Sequence, residues 1–207
     1  MVKRVLQFGL VLSLLAEAMT AIAGGVYSPS PVERFGDTTM AIQFDIGYGA
    51  INWLDFSALS TAVVSKHAEH GAVYGGSFSY DVNHHVGLEA GAWSFADITT
   101  PTITEGKIHS YAYFMNFKAR YAFENFDIVG RVGPLLRAAT GAYHKSTASL
   151  TTDNVHIWTV NAGVGLEYPT RPDLRLSMQY VYSPEVASGD KALPSVHLLS
   201  AGVAYLF

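Results

Sequence analysis

The sequence predicts an all-β fold, an eight-stranded antiparallel up-and-down barrel that crosses a membrane. Three observations predict it. Alternation of apolar and polar residues recurs in eight stretches, each about as long as a tilted membrane strand. Every charge within those stretches falls on one phase of the alternation. The composition is also poor in charge: 14% charged residues against 49% hydrophobic and 13% aromatic, with a positive mean hydropathy. Soluble domains carry roughly 25% charged residues. Outside the leader no run approaches the ~18 apolar residues of a membrane helix. A closed barrel then remains, because open sheet edges cannot be satisfied in lipid.

The leader comes first. Lys3 and Arg4 form a basic start, Val5 to Ala16 an apolar run, and Ala21-Ile22-Ala23 a small-x-small site. This predicts a signal peptide over 1–23, cut after Ala23 and before Gly24, with Ala21 and Ala23 as the recognised pair. Residues 24–38 hold Pro29 and Pro31 without periodicity and are expected to be a periplasmic lead-in. The barrel domain is expected over 39–207.

The predicted strands are 39–49, 72–82, 85–95, 109–122, 126–138, 155–168, 173–182 and 196–207. Short connections at 81–84, 123–125 and 169–172 alternate with long ones near 50–71, 96–108, 139–154 and 183–195. Short periplasmic turns and long extracellular loops are the habit of outer-membrane barrels. The apolar phase includes Phe44, Phe78, Leu88, Met115, Val132, Val164, Met178 and Val203. Asp45, Glu89, Lys118, Arg120, Asp127, Arg131, Arg137, Glu167 and Arg175 occupy the opposite phase. A charge facing lipid at mid-bilayer costs about 2–4 kcal/mol, which gives the segregation a cause. Aromatic residues cluster at both strand ends: Tyr80, Tyr121, Phe126, Tyr168, Tyr205 and Phe207 at one, Tyr48, Tyr111, Trp158 and Tyr182 at the other. Two such belts suit the two membrane interfaces. Pro134 inside a strand predicts a bulge or a place at the outer rim.

An eight-stranded barrel is about wide enough to be filled by its own side chains. The inward charges are therefore expected to pair, as a network of Asp45, Glu89, Lys118, Arg120, Arg131, Arg137, Glu167 and Arg175. Inward small residues such as Ser77, Ser79, Gly163, Gly165, Ser200 and Gly202 leave room for a second expectation, a narrow conducting path.

Several stretches carry a family resemblance. Residues 127–133 (DIVGRVG) with Arg137-Ala138 resemble the fifth strand of the OmpA transmembrane domain. Residues 162–168 resemble its sixth, 199–207 its closing strand and 87–91 its third. The likeness covers the layout of nearly the whole mature chain. It implies an interior ion-pair network in which Glu89, Lys118 and Glu167 match family positions. The family's strand-seven arginine would fall at Ser177, with Arg175 one inward step away. No sequence follows Phe207, so a barrel-only member without the peptidoglycan-binding domain is expected. Val203, Tyr205 and Phe207 resemble the signal read by the barrel-assembly machinery.

Candidate chemistry is sparse. The chain has no cysteine, which excludes disulfides and thiolate sites. Its net charge of −4 predicts no nucleic-acid partner. Barrel deacylases carry a His-x-Ser pair late in the chain; here Tyr180-Val181-Tyr182-Ser183 has no histidine, and His109-Ser110 and His197 with Ser200 are wrongly spaced. His67, Glu69 and His70 offer metal-ligand types, but a polar loop tip explains them. His84-His85 needs only turn chemistry. No phosphate-binding loop or dinucleotide fingerprint occurs. The expectation is a non-enzymatic outer-membrane protein of a Gram-negative cell, without metal or cofactor, acting through its loops as an adhesin or surface antigen. A small or gated porin-like channel is the alternative. Expected partners are outer-membrane lipid and lipopolysaccharide, the assembly machinery and periplasmic chaperones, and host or cell-surface ligands at the loops.

Overall fold

A computed structural model describes residues 39–52, 68–99, 107–140, 142–144, 149–151 and 154–207. The signal-peptide and lead-in expectations, the cleavage residues Ala21, Ala23 and Gly24, and His67 lie outside these residues. Eight long strands build the barrel: β1 (Thr39–Asn52), β2 (Ala68–Asp81), β3 (Val86–Thr99), β4 (Lys107–Ala122), β5 (Asp127–Ala139), β8 (Val155–Arg171), β9 (Leu174–Ser183) and β12 (Ser195–Leu206). Each pairs antiparallel with its chain neighbour, and β1 pairs with β12 to close the ring. Closure leaves no strand edge for lipid to meet.

The register shows how the ring is sheared. Paired positions run from Met40 through Tyr80, Leu88, Phe117, Val132, Ala162, Tyr182 and His197. They return to β1 at Ala50, ten positions beyond Met40. A ladder of eight strands thus climbs about 1.25 positions per strand, which goes with the usual tilt of roughly 35–45°. On that ruler the aromatic residues of the two predicted belts stand roughly 20–25 Å apart along the axis, about the height of an outer-membrane apolar band. At the short-turn end the rings touch: Phe123 stacks on Phe126 at 4.8 Å and meets Tyr121 edge-on at 5.0 Å.

The pleat sorts the side chains as the alternation predicts. Phe44, Ile46, Tyr74, Met115, Val132, Trp158, Val164 and Tyr205 are exposed on the outer surface. All nine strand charges of the opposite phase are buried inside. The short turns have local causes. Asn83 Oδ1 accepts from the backbone N–H groups of His85 and Val86 at 2.8 and 3.0 Å, which closes the β2–β3 turn.

Two expectations need correction. Pro134 marks neither a bulge nor the rim. It sits mid-strand, facing outward and paired with Val160 of β8. Against β4 the ladder passes from Phe114–Leu135 to Phe117–Val132 with no shift in register. A proline has no N–H to give, so the rungs at Pro134 and Gly133 drop out while the strand runs on. Gly133 stands where a Cβ would run into the carbonyl oxygen of Met115 and the backbone of Asn116, so β4 and β5 approach closely there.

The second correction concerns the third and fourth long connections. Both contain strand: β6 (Ala142–His144), β7 (Ser149–Thr151), β10 (Val186–Ser188) and β11 (Lys191–Leu193). They form one sheet in the order β10-β11-β6-β7. Gly189, with φ of 60°, makes the tight β10–β11 turn, a backbone state glycine takes without penalty. Leu193 seats this sheet on the barrel rim, packed with Ala139, Val155 and Ile157 and flanked by Val186.

Candidate functional site: the barrel interior and its loop-end cover

The interior is layered. At the short-turn end lies an ion-pair network centred on Glu167. Its Oε2 accepts from Arg120 Nη2 at 2.9 Å and its Oε1 from Arg131 Nη2 at 2.9 Å. Lys118 Nζ and Arg175 Nη1 stand 3.6 and 3.5 Å from the same carboxylate. Arg131 uses its Nε to reach Glu89 at 3.0 Å, and Ser77 Oγ donates to the other oxygen of Glu89 at 3.0 Å. Asp127 lies 3.9 Å from Arg120.

The network also holds Asp81, which the sequence reading places in a turn. Asp81 contacts Arg120 at 3.0 Å and Lys118 and Arg175 at 3.4 Å each. Its signal is simple: Ser77, Ser79 and Asp81 continue one inward phase to the end of β2. Four cations thus meet four carboxylates in a region where every partner is buried. Arg175 reaches this network, 3.5 Å from Glu167, and Ser177 lies buried one inward step above it.

Two members of the expected network make other hydrogen bonds than ion pairs with it. Asp45 accepts hydrogen bonds from Gln43 at 2.8 Å and Gln179 at 3.3 Å, so amides serve it. Arg137 donates from Nη1 to the backbone carbonyl of Pro194. Its surroundings are apolar, and its strand partners are Ala112 and Ile157. Phase placed both side chains inside correctly, but phase does not report height along the axis. Arg137 stands near the long-loop end, well above the carboxylates.

Between Arg137 and the network lies a layer the alternation conceals. Val73, Trp93, Ala112, Phe114, Leu135, Val181 and Leu198 all point inward and pack as one buried cluster, with Phe95 against it. Trp93 and Phe114 stack with ring centroids 4.2 Å apart. On the register ruler these residues fall within about two to three residue steps of one level, so they form a floor across the bore.

The glycines do not leave the bore open. A Cβ on Gly91 would meet Phe114 Cζ at 2.7 Å, on Gly165 Arg131 Nη1 at 3.0 Å, and on Gly202 Ser177 Oγ at 2.9 Å. On Gly163 it would meet Val181 Cγ2 at 3.0 Å. Missing side chains on one strand are answered by side chains of its neighbours.

The hydrolase-like pairs do not assemble. His197 faces outward and Ser200 is buried inside; His109 is exposed and Ser110 buried. Neighbours in a strand face opposite ways, so neither histidine can serve as base to its serine. Val203, Tyr205 and Phe207 form an exposed outward stripe at the end of β12, and Phe207 exchanges backbone hydrogen bonds with Met40.

A closed eight-stranded barrel with a lipid-facing exterior, two aromatic belts and a charge-filled bore defines a small outer-membrane barrel protein. Residues 16–207 match the family described as the outer membrane protein beta-barrel domain, and the chain belongs to it. Among solved structures it is similar to Neisserial surface protein A, at 14% identity and a TM-score of 0.57, covering 84% of this chain and 99% of that one. It is also similar to the N-terminal barrel domain of Pseudomonas aeruginosa OprF, at 12% identity and a TM-score of 0.52, covering 84% and 99%. At these identities the likeness is one of fold. No curated protein matches the chain in sequence. The protein resides in the Gram-negative outer membrane.

Proposed function

We propose that this barrel is a surface-interaction protein, an adhesin or surface antigen whose long loops face the exterior, and not a conduit. One observation carries the reading. The interior is filled at two levels, by a balanced buried ion-pair network and by a stacked cluster of apolar side chains. Ions crossing it would have to displace paired charges and then pass the apolar cluster around Trp93 and Phe114. A barrel sealed in that way offers chemistry only at its outer end. There the β10-β11-β6-β7 sheet, seated by Leu193 and held by the Arg137–Pro194 bond, gives the loops a fixed base. Loops on a rigid scaffold are where binding residues concentrate. The outward stripe of Val203, Tyr205 and Phe207 is what the assembly machinery would engage before the barrel closes.

Two measurements test this together. Purified protein in planar bilayers should show no discrete conductance steps across a salt series. Replacing residues 187–190, the exposed tip of the β10–β11 turn, with a neutral linker should leave heat-modifiable gel migration unchanged and abolish adhesion to host cells or extracellular matrix. Regular single-channel steps would favour the gated-channel reading instead, and intact adhesion after the replacement would remove this loop from the site.

A further inference from the structure

Below the apolar cluster the buried charges do not balance. Among the described side chains, five buried carboxylates stand there, Asp45, Asp81, Glu89, Asp127 and Glu167, against four buried cations, Lys118, Arg120, Arg131 and Arg175. Arg137, the remaining buried cation, stands above the cluster and gives its hydrogen bond to the Pro194 carbonyl. One negative charge is left over, and Asp45 is where it falls. Its hydrogen bonds come from neutral amides, Gln43 Nε2 at 2.8 Å and Gln179 Nε2 at 3.3 Å, both to Oδ1. The charges facing it are Glu89 and Arg131, which pair with each other at 3.0 Å, and Arg131 also serves Glu167. Amides soften a buried carboxylate but do not cancel its charge, and an uncompensated buried charge is costly.

The oxygens around Asp45 are placed to meet a cation. Gly202 of β12 pairs with Asp45 of β1 on one side and with Ser177 of β9 on the other. A Cβ at Gly202 would run into Asp45 Oδ1 and stand 2.9 Å from Ser177 Oγ, so both oxygens converge on the gap that the glycine leaves. That gap is within the span of one ion bound at the ~2.3–2.6 Å of hard cation–oxygen contacts. Ser177 Oγ is buried and has no hydrogen-bond partner among the described residues. Neither has Gln179 Oε1, which belongs to the same buried amide that reaches Asp45. A half-turn of that amide exchanges its donor for its acceptor. Carboxylate, hydroxyl and amide oxygen make a hard donor set. Ordered water would satisfy the hydroxyl and the amide but would leave the charge in place. A divalent ion would replace one excess negative charge with one excess positive charge.

We propose that Asp45, Ser177 and Gln179, around Gly202, form a buried site for one monovalent cation of sodium's size. Asp45 supplies the charge, Ser177 Oγ and Gln179 Oε1 supply neutral oxygens, and Gln43 holds the carboxylate in place. The bound ion brings the charge below the apolar cluster to zero. It is a resident ion of the folded barrel, taken up as the strands close, and it is independent of what the loops bind.

The test uses the full chain folded in phosphatidylcholine vesicles. Urea unfolding is followed by tryptophan emission and gel mobility at fixed pH and ionic strength, with sodium chloride exchanged stepwise for choline chloride. An ion that binds only the folded chain lowers the unfolding constant in proportion to its concentration once the site fills, up to about tenfold per tenfold sodium. The parent should show that fall. Asp45→Asn, which removes the charge and keeps the shape, should abolish it. Ser177→Ala, which removes one neutral oxygen, should weaken it several-fold. If Asp45→Asn does not fold, the parent series and Ser177→Ala decide. Equal unfolding in sodium and in choline would overturn the site, and so would a sodium dependence that either variant keeps undiminished. Equilibrium unfolding opens the whole barrel, so the measurement needs no path by which the ion enters the folded state.

Discussion

Replacing Glu167 with glutamine removes one negative charge from the centre of the interior network and keeps its shape. The carboxylate has two cation contacts at 2.9 Å and two more at 3.5 and 3.6 Å. At an effective dielectric of about 20, a unit pair at 2.9 Å carries roughly 6 kcal/mol of gross attraction; in water the same pair carries roughly 1.4. Much of the gross figure is offset by desolvation that folding has already incurred. What the variant leaves behind, among the described ion pairs, is an excess of buried positive charge, since Lys118, Arg120, Arg131 and Arg175 then have Asp81, Glu89 and Asp127 opposite them. Removing one partner from a buried pair costs about 3–5 kcal/mol. Glu167→Gln should lower unfolding stability by that amount in urea titrations of protein folded in lipid vesicles, followed by tryptophan emission and gel mobility. A loss below about 1 kcal/mol would refute this reasoning, because charges so weakly coupled would be screened as surface pairs are.

Arg137→Met is expected to behave oppositely. It removes a buried cation served by one carbonyl, at the cost of one hydrogen bond, so stability in the same titration should be unchanged or higher; a loss above about 2 kcal/mol would mean that the guanidinium has an anionic partner. Phe114→Ala opens the apolar floor beside Trp93 and should cost about 3–5 kcal/mol, with conductance steps appearing in planar bilayers where the parent shows none. Ile46→Arg puts a charge on the lipid face near mid-height and should cost about 2–4 kcal/mol, whereas Tyr48→Arg in the aromatic belt should cost about 0–1; equal losses would contradict the assigned height of the belts.

Much of the fold was legible in the sequence because a barrel in lipid obeys a rule of period two with a severe penalty. Phe44 and Asp45 are neighbours, yet one meets lipid and the other the bore, and no alternative register survives exchanging them. What stayed hidden has physical reasons as well. Phase assigns a side chain to inside or outside but says nothing of height, and height separates Arg137 from Glu167. Height depends on the shear, which is a property of the closed ring. The apolar floor was hidden for a related reason. Val73, Trp93, Phe114 and Leu135 share the phase of the charges, so they read as exceptions strand by strand. Only the register gathers them at one level. The sheet β10-β11-β6-β7 was hidden because its strands have three residues each, too few to show a period, and its central pairing joins Lys191 to His144 across distant connections.

The order of the two seals bears on what the barrel can become. A polar plug alone can open by exchanging partners, since each charge released from one neighbour can find another close by: Arg120 already touches Asp81 and Glu167, and Arg131 touches Glu89 and Glu167. Such an exchange needs little movement and no loss of paired charge. An apolar floor has no equivalent exchange, because its contacts are non-directional and its opening must admit water between Trp93 and Phe114. Placing that floor above the network therefore decouples rearrangement of the ion pairs from permeability. On the proposed reading, the apolar layer would separate the base of the loop sheet from rearrangements among the charges at the short-turn end.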